Sequence, residues 1–139
     1  MKRERPSDLE NEMEAVRLLR TWKHVEAHKL PIKYIVDFAL YAGGRLEGFA
    51  EFKRRQCSVE KYPTVILSLH KVMEGVRLAK CTATKFIFAV KWDDAFGYKV
   101  LEEPFANVSQ GGTFRRCDED DVEPLLHIPF TGFKFMGED

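Results

Sequence analysis

A chain of 139 residues, 45% apolar and 32% charged, has the balance of a globular protein, long enough for one proper core and too short for two comfortable ones. No apolar run approaches bilayer-spanning length and the charged start MKRERPSDLE has no apolar signal core behind it, so neither a membrane span nor a secretory leader is expected and the cytoplasm is the expected compartment. Net charge is zero but uneven: residues 1–116 carry 21 Lys and Arg against 15 Asp and Glu, and residues 117–139 carry one against seven. A basic body is compatible with a polyanionic partner without requiring one.

Cys57, Cys81 and Cys117 are odd in number and widely spaced, with no pair at zinc-knuckle or redox-motif separation, so reduced thiols are expected. The chain reads as a single domain over 1–139, with an acidic irregular segment at 117–123.

Ser7 followed by Glu10 is a capping-box pattern, and Leu9, Met13, Val16, Leu19 and Trp22 recur at helical spacing, which predicts a first helix from about Asp8 to Lys23. HVEAHKLP follows. His24 and His28 stand four apart there, but the glutamate is misplaced for HExxH, and the segment reads as a polar connection.

Lys33 to Arg55, KYIVDFALYAGGRLEGFAEFKRR, is the most informative stretch, because residues two apart on a strand share a face. Tyr34, Val36, Phe38 and Leu40 fall on one side of the first limb, with Asp37, Ala39 and Tyr41 on the other. Leu46, Gly48, Ala50 and Phe52 form the apolar side of the second limb, opposite Glu47, Phe49, Glu51, Lys53 and Arg55. If both apolar sides are to meet one core, register parity is fixed. A two-residue turn at Gly43-Gly44 would put Asp37 opposite Ala50, whereas a three-residue loop through Arg45 puts Asp37 opposite Glu51. The longer loop is therefore expected, with Asp37, Glu51 and Lys53 on one chemical face.

Pro63 marks an expected helix start, and Val65, Leu69, Val72, Met73 and Val76 extend an apolar stripe to about Lys80. His70, Lys71, Glu74 and Arg77 take its wetter side, with Lys71 a candidate phosphate contact. Residues 84–92, TKFIFAVKW, read as a central strand apolar on both faces, parallel to the limb before the helix; residues 98–102 should return antiparallel. From Glu103 to Glu123 little periodicity remains, and a long loop is expected, a substrate clamp or simple slack. DEDDVE lacks the ligand alternation and turn glycine of a calcium loop and reads as a solvated acidic run. In HIPFTGFKFM, Phe130, Phe133 and Phe135 should cover an open side of the core as an irregular strand.

Two carboxylates on neighbouring strands, partly removed from water, repel unless a proton or cation intervenes. A hard divalent cation meets that need, and the carbonyl of Phe52 could add an oxygen. Lys53 points to the same side, where it could orient a water or neutralise charge on phosphorus, the chemistry of phosphodiester hydrolysis.

Asp37, thirteen intervening residues and then Glu51-Phe52-Lys53 resembles the Asp…(Asp/Glu)-x-Lys signature of the PD-(D/E)XK nuclease superfamily, with a helix before the hairpin and a helix-strand crossover after it. Val36 stands where the name-giving proline would be. The resemblance covers about residues 7–92. It implies an α/β (α+β) protein with a central mixed sheet flanked by helices, an αβββαβ-like restriction-endonuclease-like core. It also implies Mg2+ held by Asp37 and Glu51, with Mn2+ able to substitute, a catalytic role for Lys53, and a further acidic ligand from the first helix, for which Glu12 is the candidate. DNA is the substrate that the family favours, with Arg54, Arg55, Lys71, Arg115 and Arg116 as candidate phosphate contacts. A homodimer, or association with other DNA-processing proteins, also fits such a small nuclease. Two other readings stay open on the residues alone: a surface Asp-Lys-Glu ion cluster on an edge hairpin, and a non-catalytic nucleic-acid-binding or protein-interaction module with a nuclease-like fold.

Overall fold

The computed structural model describes residues 13–14, 16–17, 25–30, 36–105, 107–111 and 123–136. Met13, Glu14, Val16 and Arg17 are helical, within the expected first helix. The rest of that helix lies outside the described residues, as do Glu12, His24, Arg115, Arg116 and Cys117.

The strands are β1 (Glu26–Lys29), β2 (Phe38–Ala42), β3 (Arg45–Arg54), β4 (Thr64–Ser68), β5 (Lys85–Lys91), β6 (Phe96–Leu101), β7 (Val108–Gly111), β8 (Glu123–Pro129) and β9 (Lys134–Phe135). One crossover helix, Leu69–Cys81, joins β4 to β5. Six strands form a mixed sheet in the order β1-β2-β3-β5-β6-β9, and three form a second sheet, β4-β8-β7. β3 and β5 run parallel, as a strand-helix-strand connection requires, and β6 returns antiparallel. Cys57 and Cys81 are free thiols. No helix among the described residues is long and apolar enough to cross a membrane.

Four sequence expectations are corrected. The HVEAHKLP connection contains β1, paired antiparallel with β2, which supplies the first of the three strands that the six-stranded sheet takes from before the crossover helix. Thr64–Ser68 is a strand, so the helix begins at Leu69 and not near Pro63. β-Branched Thr64, Val65 and Ile66 favour extended backbone, and Val65 and Leu67 alternate inward at the strand period. Val65 of the expected helical stripe is buried from a strand, and Met73 of that same stripe is exposed. The expected long loop holds β7, paired with β8; residues 106 and 112–122 lie outside the described residues.

The fourth correction concerns the hairpin. Its turn is the two-residue Gly43-Gly44 form, with Ala42 opposite Arg45, and both glycines have positive φ, 58° and 80°, as a type I′ turn requires. Parity is restored by a bulge instead of a longer loop. Tyr41 faces Leu46, but Leu40 faces Gly48, so Glu47 is the extra residue and Phe38 comes to face Ala50. Continued one residue further, that register sets Asp37 level with Glu51. Leu46, below the bulge, therefore packs on the opposite face of the sheet from Ala50 and Phe52.

Both faces of the hairpin are covered. Phe38, Leu40, Ala50, Phe52, Ala89 and Phe96 pack together on one face, with Val16 against them. The face expected to be chemical lies under the larger cluster, where Ala39, Phe49, Phe86 and Phe88 meet Val72 and Val76 of the helix and Val65, Leu67, Leu126 and Ile128 of the second sheet. The helix comes close because Gly75 has no side chain: a Cβ there would sit 2.5 Å from the Phe86 ring. Phe133 is buried against Phe88 and Trp92, with Phe135 stacked nearby, as the aromatic C-terminal segment predicts.

Candidate active site

Asp37 enters from the residue before β2, and Glu51 and Lys53 come from the C-terminal half of β3. β3 is an interior strand, and its neighbour β5 sets Phe88 beside Glu51 and Val90 beside Lys53. Glu51 is only 5% exposed and Asp37 9%, among apolar neighbours that offer little solvation. An ion cluster on an open edge hairpin is thereby ruled out.

Burial is the chief reason the Glu51 carboxyl is pushed up to about 8, and the nearby Asp37 carboxyl adds to it; Lys71 pulls the other way. The Phe52 backbone N–H donates to Asp37 Oδ2 at 3.4 Å, and Lys71 Nζ donates to Glu51 Oε2 at 3.0 Å. Glu51 Oε1 is buried without a hydrogen-bond partner among the described residues.

Lys53 donates through Nζ to the Ile66 carbonyl at 2.7 Å. Burial first, and then the Arg55 charge, lower its pKa to about 8, while Glu51 works against the shift. In the β4-β8 ladder Ile66 faces His127, and the His127 N–H is given to the carbonyl of Asn107, the residue before β7. That pattern turns the Ile66 carbonyl away from β8, toward the outer edge of the sheet, where Lys53 meets it. The site is thus a seam between two sheets, closed at one end by the first turn of the crossover helix.

Of the residues singled out in the sequence, Asp37, Glu51 and Lys53 come together, and Lys71 joins them through Glu51. Arg54 is engaged elsewhere, with Asp93 Oδ1 at 2.8 Å and the Lys91 carbonyl at 3.1 Å, where it secures the end of β3 to the end of β5. Arg55 is half-buried beside Lys53. His28 is exposed and sits 3.5 Å from Glu26, away from the site. The Ile66 carbonyl was missed, since a backbone atom leaves no signature in composition. Lys71 carried a usable signal, a lysine in the first turn of a helix against the macrodipole, but it was hidden by placing the helix start at Pro63.

The sequence matches the model of the family described as "Phage putative PDDEXK endonuclease" over residues 1–136. The chain belongs to this family. A search of the curated proteins found no match. Among solved structures, this PD-(D/E)XK family member is similar to Hjc, a Holliday junction resolvase from the archaeal hyperthermophile Archaeoglobus fulgidus. The TM-score is 0.56 at 17% identity, over 88% of this chain and 84% of that one. At that identity the likeness establishes the fold, which is restriction-endonuclease-like.

The donor set suits a divalent cation. The neighbouring Asp37 carboxyl adds to the burial that raises Glu51, and one buried oxygen, Glu51 Oε1, has no hydrogen-bond partner among the described residues. Among the described residues no group of three or more His, Cys, Asp or Glu could hold a metal ion.

Proposed function

We propose that this endonuclease-family protein is a Mg2+-dependent nuclease that hydrolyses phosphodiester bonds in DNA. The observation that carries this reading is the pairing of Asp37 with a buried Glu51 whose Oε1 has no hydrogen-bond partner among the described residues, next to the part-buried ammonium of Lys53. Asp37, Glu51 and the Phe52 carbonyl would hold the cation. When bound, it supplies Lewis-acid polarisation of the phosphate and a lowered pKa for the attacking water.

The protein's own groups account for the rest. Lys53 is anchored by the Ile66 carbonyl, so its charge is already oriented before substrate arrives and can stabilise the negative charge that grows on the phosphate oxygens as water adds to phosphorus and the bond to the leaving oxygen breaks. The apolar walls formed by Phe49 and Phe88 keep the dielectric low, which strengthens that interaction.

The test is incubation of the purified protein with supercoiled, linear and four-way-branched DNA in Mg2+, Mn2+ or EDTA. The branched substrate is included because the structural relative is a junction resolvase. Cleavage in Mg2+ that EDTA abolishes and Lys53→Ala removes, with the fold retained, is the expected result. Binding of DNA without cleavage in either metal would instead favour a non-catalytic module.

A further inference from the structure

Lys71 does something that the nuclease signature does not require. It is the third residue of the crossover helix, in the first turn, where a positive charge opposes the helix dipole and no acidic residue offsets it. Its ammonium nevertheless reaches Glu51 Oε2 at 3.0 Å, with the lysine side chain 27% exposed and the glutamate 6%. Lys53, although closer in sequence, gives its hydrogen bond to the Ile66 carbonyl. Glu51 Oε1 is left without a hydrogen-bond partner among the described residues.

From this arrangement we infer that Lys71 is an internal counter-ion that competes with the divalent cation for Glu51 and is displaced toward the site mouth when the cation enters. The inference rests on the metal-dependent reading above. An ammonium and a divalent cation on one carboxylate repel strongly in a low-dielectric setting. Lysine sits on a flexible four-carbon stem, and this one already reaches solvent, so its head can leave Glu51 without disturbing the helix. Once displaced, it lies where a substrate phosphate would arrive. Lys71 is then a positioning residue that restrains the carboxylate until the cation replaces it.

Calorimetric titration of Mn2+ into the full chain without DNA tests this, using wild type, Lys71→Met, Lys71→Gln and Asp37→Asn. Both Lys71 variants should bind Mn2+ about five-fold tighter than wild type, the scale of one partly exposed ion pair removed from competition. A lysine that merely braces the helix predicts equal or weaker binding in its variants. Binding that Asp37→Asn abolishes, with no gain in either Lys71 variant, overturns the counter-ion role and leaves the metal-dependent reading intact. Absence of binding in wild type, or binding indifferent to Asp37→Asn, overturns both. Failure of both Lys71 variants to fold would also overturn the inference, because a displaceable counter-ion must be dispensable to the fold.

Discussion

The ammonium of Lys53 donates to the carbonyl oxygen of Ile66 at 2.7 Å, a bond between the central strand of one sheet and the edge strand of the other. It orients the one lysine of the signature and occupies an edge carbonyl that β8 does not use. Lys53→Met keeps the length and apolar stem while removing the charge. Cleavage of DNA should fall by about 10²–10³, the cost of losing one preorganised electrostatic group. Stability should change by no more than about 1 kcal/mol, because a part-buried charge and its hydrogen bond disappear together. Parallel assays of cleavage and thermal unfolding check both.

Glu51→Gln should abolish Mg2+-dependent cleavage while raising the melting temperature at pH 8. The buried carboxyl is costly to ionise next to Asp37, and glutamine fills the same volume without charge. A site built for function at the expense of the fold behaves in this way. A lower melting temperature for the variant would show that the Lys71 ion pair outweighs desolvation.

The same groups set a pH dependence. Folding raises the Glu51 pKa from 4.5 to about 8, so between those values the folded chain keeps a proton that the unfolded chain has released. Its contribution therefore falls as pH rises through that window and is least favourable above it. Lys53 is lowered from 10.5 to about 8, so above pH 8 the folded chain has lost a proton that the unfolded chain retains, and this contribution recovers as pH rises toward 10.5. The pair together gives a minimum near pH 8. The stabilisation of Glu51→Gln over wild type should accordingly grow between pH 5.5 and pH 8.5, at roughly the two ends of the Glu51 window. A constant difference in melting temperature across that range would contradict the assignment.

Gly75 brings the crossover helix onto Phe86. Alanine at an ordinary helical position is favoured over glycine by about 1 kcal/mol. Here the added methyl would sit 2.5 Å from a ring in the core, and such overpacking costs about 1–3 kcal/mol. Gly75→Ala should therefore destabilise the protein. Because the same helix carries Lys71, it should also weaken cleavage without touching any metal ligand. Urea unfolding and cleavage rates measure the two effects.

Local pattern carried much of this protein. Period-two alternation, joined to the requirement that apolar sides meet, set Asp37 beside Glu51, and the double-faced apolarity of residues 84–92 marked β5 as an interior strand. The right parity came from the wrong device: a bulge at Glu47 did what a three-residue loop was expected to do. Alternation counts residues between two points and cannot say where an extra one is absorbed. The β4 strand was lost because Val65 satisfies the helical and the strand period at once, and only its pairing with β8 decides between them.

By itself the sequence determined which groups could meet, because Asp37 stands just before one strand, Glu51 and Lys53 lie on its neighbour, and one register brings them together. Tertiary structure alone decided what surrounds them. Lys71 arrives from twenty residues away on the crossover helix and the Ile66 carbonyl from a second sheet, and the burial that shifts Glu51 and Lys53 toward one another comes from Phe49, Phe88 and Val90 packing over them. Solvation is a property of all the neighbours at once, and neither a motif nor a period encodes it.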